Sequence, residues 1–350
     1  MNHGKALVIA PDYYGLDKSI ARAFERNGFE TNLVTDRMNL RERIIGKTTR
    51  LFHGTKIFLN PLLRSNLKKE NQKYISIAKA FKPSFLFVVK GDTIFPETIR
   101  YLKKELGIAC ISYQWDDPFY SFPGATGGHD YRTYNFKNGM NHYDHIFVYD
   151  KHYVEEIRGM GMDHVSYLPL AADDELFKKA DVTSEEQARY GYDVCFVGMP
   201  FKNRIDILNS LNGFNVGVFG DFWERHVDEI NGNYYKGKAS GETVRKIYCA
   251  SKIVLNINHP QSKYGVNTRT FEIPSCEAFG IFDYINGIED LFKIGEEIVC
   301  YRDIEELKAL IHHYLANQQE RSSIAEKGFR RVMQEHTWVH RVKRVIDIVN

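Results

Sequence analysis

Short apolar runs alternate with stretches of helical periodicity along the chain. In the first half, residues 5–10, 30–35, 84–90, 108–113 and 145–149 are runs of strand length, and residues 19–27 and 96–106 carry apolar positions at helical spacing between them. Gly28 and Gly107 stand where helix ends favour glycine. A second series follows, with strands expected at 193–197, 215–219, 252–257, 280–284 and 298–301 and helices beginning near Asn203, Thr243, Arg269 and Asp303. Residues 320–349 read as one helical tail. Strands alternating with helices predict βαβ units and parallel sheets, so the expected fold class is α/β, with two doubly wound Rossmann-like halves.

Leu168-Pro169-Leu170 closes the first series, and the charged stretch after it reads as a linker. The boundaries this implies are 1–170 for a first domain, 171–190 for the linker, 191–335 for a second domain and 336–350 for a terminal helix. At 350 residues the chain also exceeds the size at which one core stops growing. Doubly wound sheets bind ligands beyond the carboxyl ends of their strands, so the two sheets are expected to present those edges to one cleft.

Composition narrows the class. With 43% hydrophobic and 26% charged residues the chain has the make-up of a globular protein, and no run approaches the roughly 18 apolar residues of a membrane span. Ala6 already lies in an apolar strand, without the basic region, apolar stretch and cleavage site of a secretory leader, and a cytoplasmic location is expected. Cys110, Cys195, Cys249, Cys276 and Cys300 are scattered singly, without the spacing of a disulfide framework or zinc site, and read as reduced, mostly core residues. The net charge is only +2, yet from Arg37 to Lys73 ten basic residues stand against Glu42 and Glu70, interleaved with apolar ones such as Leu40, Ile44 and Phe58. Such a segment either makes peripheral contact with the inner face of an anionic membrane or is a solvated insertion whose apolar residues pack on the sheet. No nucleic acid is expected as a partner, because no nucleic-acid module is recognisable and the remaining surface is acidic.

The stretch most able to carry chemistry is Val266-Asn267-Thr268-Arg269-Thr270-Phe271-Glu272, where a strand passes through a loop into a helix. Asn267 or Thr268 can cap that helix, whose first-turn N–H groups and dipole suit a phosphate. Arg269 adds a forked cation for a diphosphate, and Glu272, on the same helical face, is an acceptor-only side chain suited to two ribose hydroxyls. The same two residues would serve as a surface pair on an amphipathic helix, and Pro274 requires that the helix start close to Phe271.

From Asp193 to about Arg344 the chain resembles the C-terminal domain of the glycosyltransferase group that includes the CgeB-like spore-maturation proteins. The matching elements are Asp193-Val194-Cys195-Phe196-Val197-Gly198 with Arg204 downstream, Val218-Phe219-Gly220-Asp221 with Trp223, Ser251-Lys252-Ile253-Val254-Leu255-Asn256, the segment from Arg269 to Glu272, and Ala325-Glu326-Lys327-Gly328 leading into Glu335-His336-Thr337. The N-terminal half matches more loosely, through Trp115-Asp116-Asp117-Pro118 and the strand ending at Asp150. The resemblance implies a GT-B architecture: an acceptor-side N-terminal domain, a C-terminal domain for a nucleotide-diphosphate sugar, and a last helix that crosses back to the first domain. It implies a sugar transferase acting on a glycan, lipid-linked or other cell-surface polysaccharide acceptor, with no resident cofactor and no metal. Gly198, Tyr264, Gly265, Asn267 and Thr270 would lie beside the donor, with Arg204 as a second phosphate cation and Trp223 near the nucleobase. An exposed arginine at a helix start and a packing tryptophan are the plainer roles for the last two. Relatives of this architecture often carry two glutamates eight positions apart; Glu272 fits the second, and Tyr264 stands in place of the first.

In the N-terminal half, Asp116 and Asp117 follow a buried strand, Asp12 follows the first strand, and His129 lies beyond the glycine-rich stretch opened by Gly124. An inverting transfer needs a base for the acceptor hydroxyl, and any of the four could serve, although each is also a typical turn or capping residue. Neither Asp116-Asp117 nor Asp173-Asp174 has the further partners of a metal cage. The first strand runs into Pro11-Asp12-Tyr13-Tyr14-Gly15 and not the spaced glycines of a dinucleotide fingerprint, which argues against an oxidoreductase. The competing classes are a nucleotide-sugar epimerase of the same architecture and a non-catalytic nucleotide-sugar-binding protein.

Overall fold

The computed structural model describes residues 4–36, 61–119 and 131–349. It forms two compact units, Met1–Pro169 with Arg341–Asn350, and Leu170–His340.

In the first unit the elements run β1 (Lys5–Ala10), α1 (Leu16–Arg26), β2 (Glu30–Thr35), α2 (Pro61–Phe81), β3 (Phe85–Val89), α3 (Pro96–Leu106), β4 (Ala109–Gln114), α4 (Tyr131–Gly139), β5 (His145–Val148), α5 (Lys151–Gly159) and β6 (Val165–Tyr167). The strands form one parallel sheet in the order β2-β1-β3-β4-β5-β6. A parallel sheet is covered on both faces, which is why β3 reads Phe-Leu-Phe-Val-Val with every residue buried. Pro96 opens α3, where its missing N–H is not needed, and Gly107 closes it in the left-handed conformation at φ 67°. Strand β6 lies outside the sequence expectation, since three residues at a sheet edge are too short to show an apolar period.

The basic segment separates into two parts. Residues 37–60 lie outside the described residues. Residues 61–73 open α2, in which Leu67, Asn71, Tyr74 and Ala78 are buried at helical spacing while Arg64, Lys68, Lys69 and Lys73 are exposed. Those four cations form the solvated face of an ordinary amphipathic helix.

The second unit runs α6 (Ser184–Tyr190), β7 (Val194–Val197), α7 (Lys202–Asn209), β8 (Val216–Phe219), β9 (Tyr235–Gly237), α8 (Glu242–Ala250), β10 (Ile253–Asn256), α9 (Arg269–Ser275), β11 (Gly280–Asp283), β12 (Val299–Tyr301), α10 (Ile304–Ala316), α11 (Gln318–Glu335) and the start of α12 (Trp338–Val349). Its parallel sheet has the order β12-β11-β10-β7-β8-β9, so the direction of strand addition reverses between β7 and β10. Phe196, Leu255, Ile281 and Trp223 fill its core.

Two expectations change here. Residues 171–190 pack on the second unit: Ala171 and Ala172 are buried, the Ser275 hydroxyl donates to the Phe177 carbonyl, and the charged run forms α6 behind a capping box of Thr183 and Glu186. The tail is two helices, broken where His336 turns inward, accepts ring contacts from Phe271 and Phe292, and bonds the Leu291 carbonyl at 2.8 Å, while Thr337 pairs with Ala172. Four of the five free cysteines are buried, and Cys249 is partly exposed. No described helix is long and apolar enough to cross a membrane.

Candidate active site

At the reversal of strand order in the second unit, the loops leaving β7 and β10 diverge, and a doubly wound sheet binds its ligand there. A run of amides organises this edge. The Asn258 amide N–H and Nδ2 donate to the Asp283 carboxylate at the end of β11, at 2.8 and 2.9 Å. Asn258 Oδ1 accepts the Asn267 N–H at 3.0 Å, Asn267 Nδ2 donates to Asn256 Oδ1 at 3.0 Å, and Asn256 Nδ2 donates to Thr270 Oγ1 at 3.1 Å. One chain of hydrogen bonds thus ties the ends of β11 and β10, and the loop after β10, to the first turn of α9. Asn256 and Thr270 are fully buried, so each polar group there needs its partner. The sequence reading placed Asn267 and Thr270 here and missed Asn256, Asn258 and Asp283, whose signal is a polar residue closing an otherwise apolar strand.

Burial lifts the Asp283 carboxyl from 3.8 to about 6, against the pull of the Asn258 donors and the Arg204 charge. A carboxyl with a raised folded pKa favours the native state below its unfolded value, and that contribution is lost as pH rises through the folded one. Asp283→Asn is therefore expected to gain stability relative to the parent between about pH 4 and about pH 6, by about 3 kcal/mol at the upper end. Urea midpoints measured across that range check it, and a pH-independent difference refutes it.

Helix α9 carries Arg269 and Glu272 one turn apart, both half-buried. Arg269 Nε donates to the Val197 carbonyl at 2.5 Å, which anchors the guanidinium at the end of β7 and sets the surface-pair reading aside. Burial raises the Glu272 carboxyl above its ordinary range, and the Arg269 charge and a Thr268 hydrogen bond draw it back. The expected cap is absent. Thr268 is itself helical and makes no side-chain cap bond, and the Asn267 side chain is committed to Asn256. The amides of Thr270, Phe271 and Glu272 bond the Asn267 and Thr268 carbonyls, leaving those of Thr268 and Arg269 without a backbone acceptor among the described residues. The helix starts at Arg269 and not near Phe271, so Pro274 lies inside it and offers no N–H to the Thr270 carbonyl four residues back. Gly265 is buried and Tyr264 is 40% exposed, with its carbonyl seated against Gly287, where a Cβ would come within 1.9 Å.

Gly198 follows β7 and makes a close backbone approach: a Cβ on Gly220, at φ 137°, would stand 2.2 Å from the Gly198 carbonyl oxygen. Two expected ligands prove to be internal. Trp223 is 0% exposed, and its indole N–H donates to the Gly198 carbonyl at 2.7 Å, so it fills the core beneath the loop and cannot stack on a base. Arg204 is 4% exposed; its Nη2 donates to the Ile257 carbonyl at 2.8 Å and its Nη1 to the Met199 carbonyl at 3.1 Å, with the guanidinium over Phe196 and Phe201. It staples the two loops of the reversal together.

Phe222, held at φ 71° and 47% exposed, is an aromatic ring that reaches solvent at this edge. It lines a pocket of about 450 Å³ with Asp221, Glu224, Arg225 and Lys238, beyond the ends of β8 and β9. Arg225 lies 5.4 Å from the Phe222 centroid, and Lys238 pairs with Glu224 at 3.3 Å.

In the first unit, Asp117 is 1% exposed and its Oδ1 accepts the Phe119 N–H at 2.8 Å, the role of a turn residue, which removes it as a base. Asp116 is half-exposed and pairs with Lys90 Nζ at 2.9 Å, while Lys90 also faces Asp92 at 3.9 Å. Asp12 is exposed beside Tyr13. His129 lies outside the described residues. Among the described residues no group of three His, Cys, Asp or Glu side chains is placed to hold a metal ion.

Two doubly wound parallel units in succession define the GT-B fold of glycosyltransferases. Sucrose-phosphate synthase from Thermosynechococcus elongatus shares it over 98% of both chains, with a TM-score of 0.68 at 11% identity. HepE of Anabaena, solved in complex with UDP, also aligns over 98% of both chains, with a TM-score of 0.60 at 12% identity. Residues 203–347 match the family described as glycosyl transferase-like. Spore protein CgeB of Bacillus subtilis (strain 168) is 23% identical in an alignment of 297 positions that covers 77% of this chain and 84% of that one. The resemblance read from the sequence is borne out; the solved structures show the fold, and the family match supports glycosyl transfer as the function.

Proposed function

We propose that the protein transfers a sugar from a nucleoside-diphosphate donor held by the second unit to an acceptor hydroxyl, without a metal ion. The observation that carries this reading is Arg269, a cation fixed to the end of β7, with Glu272 on the same face of α9. Arg269 and the amides of Thr268 and Arg269, which have no backbone acceptor among the described residues, receive the diphosphate and stabilise it as it leaves, Glu272 binds the ribose, and the nucleobase lies on Phe222 in the pocket beside Lys238. HepE was solved with UDP and UDP-glucose, which makes a UDP-sugar the first donor to try. If configuration inverts, Asp116 is the base for the acceptor, since it follows β4, is half-exposed and is oriented by Lys90.

Tyr264, where relatives often have a glutamate, favours a second reading in which the donor binds but is not turned over. Thermal shift with UDP, GDP, CMP, dTDP and ADP, each with EDTA or magnesium, tests the common part of both. At a hundredfold excess over Kd, a ligand specific to the native state adds about 2.7 kcal/mol, or about 5–10 °C for a unit of this size. The expected shift survives EDTA and is lost in Glu272→Ala; no shift with any nucleotide refutes both readings. Product analysis with and without an acceptor then separates transfer from epimerisation and from binding alone.

A further inference from the structure

Two of the five cysteines meet from different elements of the second unit. Cys249 precedes the last residue of α8, and Cys276 stands immediately after α9 as its C-cap. The Cys249 thiol donates to the Cys276 carbonyl at 3.7 Å, and its sulfur accepts the Ala180 N–H at 3.4 Å. The chain around Ala180 is fixed over the pair, because the Phe177 carbonyl accepts from the Ser275 hydroxyl and Lys179 pairs with Glu277 at 2.7 Å. Cys276 is 1% exposed, whereas Cys249 is partly exposed. One thiol of the pair meets solvent, and the other lies behind it.

Packing alone does not call for this arrangement. A structural cysteine behaves as a small, inert hydrophobe, and burial pushes the thiols of Cys110, Cys195 and Cys300 up to about 12 each. Cys249 goes the other way. The hydrogen bond with the Cys276 thiol, the Ala180 N–H and the charges of Arg245 and Lys179 outweigh its burial and bring it from 9.0 to about 7. Burial and the bond to Cys249 push Cys276 well above its ordinary value, so it keeps its proton. An accessible thiolate backed by a protonated thiol has the parts of an attacking and a resolving cysteine.

We propose that Cys249 is a site of oxidation by peroxides and that Cys276 resolves the product into a disulfide joining α8 to α9. The Cys249 thiolate attacks one peroxide oxygen, the O–O bond breaks, and the sulfur becomes a sulfenic acid while the departing oxygen takes a proton. The Cys276 sulfur then attacks the sulfenic sulfur. The S–S bond forms as the sulfenic hydroxyl leaves with the Cys276 proton as water, so two thiols are oxidised and one peroxide is reduced. The bond fastens the helix that carries Arg269 and Glu272 to its neighbour, and it forms whether or not that helix binds a nucleotide.

Peptide mapping by mass spectrometry of the reduced protein, before and after hydrogen peroxide, tests the pair. A linked Cys249–Cys276 peptide is expected, reversed by dithiothreitol, while Cys110, Cys195 and Cys300 remain thiols. In Cys276→Ala the sulfenic acid has no resolving partner, and dimedone labels Cys249 at least about tenfold more than in the parent. Cys249→Ser forms no bridge and leaves Cys276 reduced. The parent's own map carries the test if either variant fails to fold. Peroxide that modifies Cys249 no faster than Cys195, or a Cys249 sulfenic acid that never passes to the linked peptide in the parent, overturns the proposal.

Discussion

Arg269→Ala is expected to lower kcat with the proposed donor by about 10²- to 10³-fold, while the melting temperature falls by no more than about 4 °C. The size follows from where the charge develops. As the glycosidic bond to the diphosphate breaks, the departing oxygen becomes more anionic, and a preorganised cation is worth more in that transition state than in the ground state. Arg269 is preorganised because its Nε is bound to the Val197 carbonyl, so the rest of the guanidinium is aimed from a fixed point. The modest stability cost is the loss of that one hydrogen bond, about 1 kcal/mol. Glu272→Ala provides the contrast: a ribose contact is made equally in both states, so KM rises while kcat changes little. Arg269→Lys keeps a charge but not the fork, and its kcat belongs between the two. Turnover by Arg269→Ala equal to the parent's, measured by release of the nucleoside diphosphate, would remove this residue from the mechanism.

The same edge shows what a sequence can and cannot reveal. Strand β1 stands where the apolar run placed it, because burial on both faces of a parallel sheet leaves Ala-Leu-Val-Ile-Ala unbroken, and helix α3 stands where its apolar spacing and its terminal Pro96 and Gly107 placed it. Edge strands β6 and β9, at three residues each, carry no such period. Residues 61–81 gave a charge run instead of a helix because the exposed face of α2 holds more cations than its buried face holds apolar residues. In Phe222-Trp223 two adjacent aromatics compete for one inward position, and nothing local decides between them. The left-handed turn at Phe222 turns that ring out and leaves Trp223 the hydrogen bond to Gly198. The amide chain from Asp283 to Thr270 was illegible for a different reason. Its members come from β10, β11, the loop after β10 and the first turn of α9, and hydrogen bonds between such separate elements leave no local pattern.

Arg204 raises the same difficulty in its sharpest form, because an arginine after a glycine loop suits a phosphate ligand and a structural staple equally well. The structure favours the staple, and Arg204→Ala is expected to lower the melting temperature by about 6–15 °C, far more than Arg269→Ala does. Its removal takes the donors from the Met199 and Ile257 carbonyls and opens a void between Phe196 and Phe201. Two unsatisfied buried carbonyls, each at the low end of about 1–3 kcal/mol because the loops can relax, and a packing term of similar size put the total cost at about 3–5 kcal/mol. Ile257 precedes Asn258, so the variant also loosens the amide chain that seats α9 and weakens nucleotide binding indirectly. Arg204→Lys can reach one of the two carbonyls with a single ammonium and recovers part of the stability. The two roles therefore diverge in the melting curve recorded without nucleotide. A large drop identifies the staple, whereas an unchanged melting temperature with nucleotide binding abolished would make Arg204 a phosphate ligand after all.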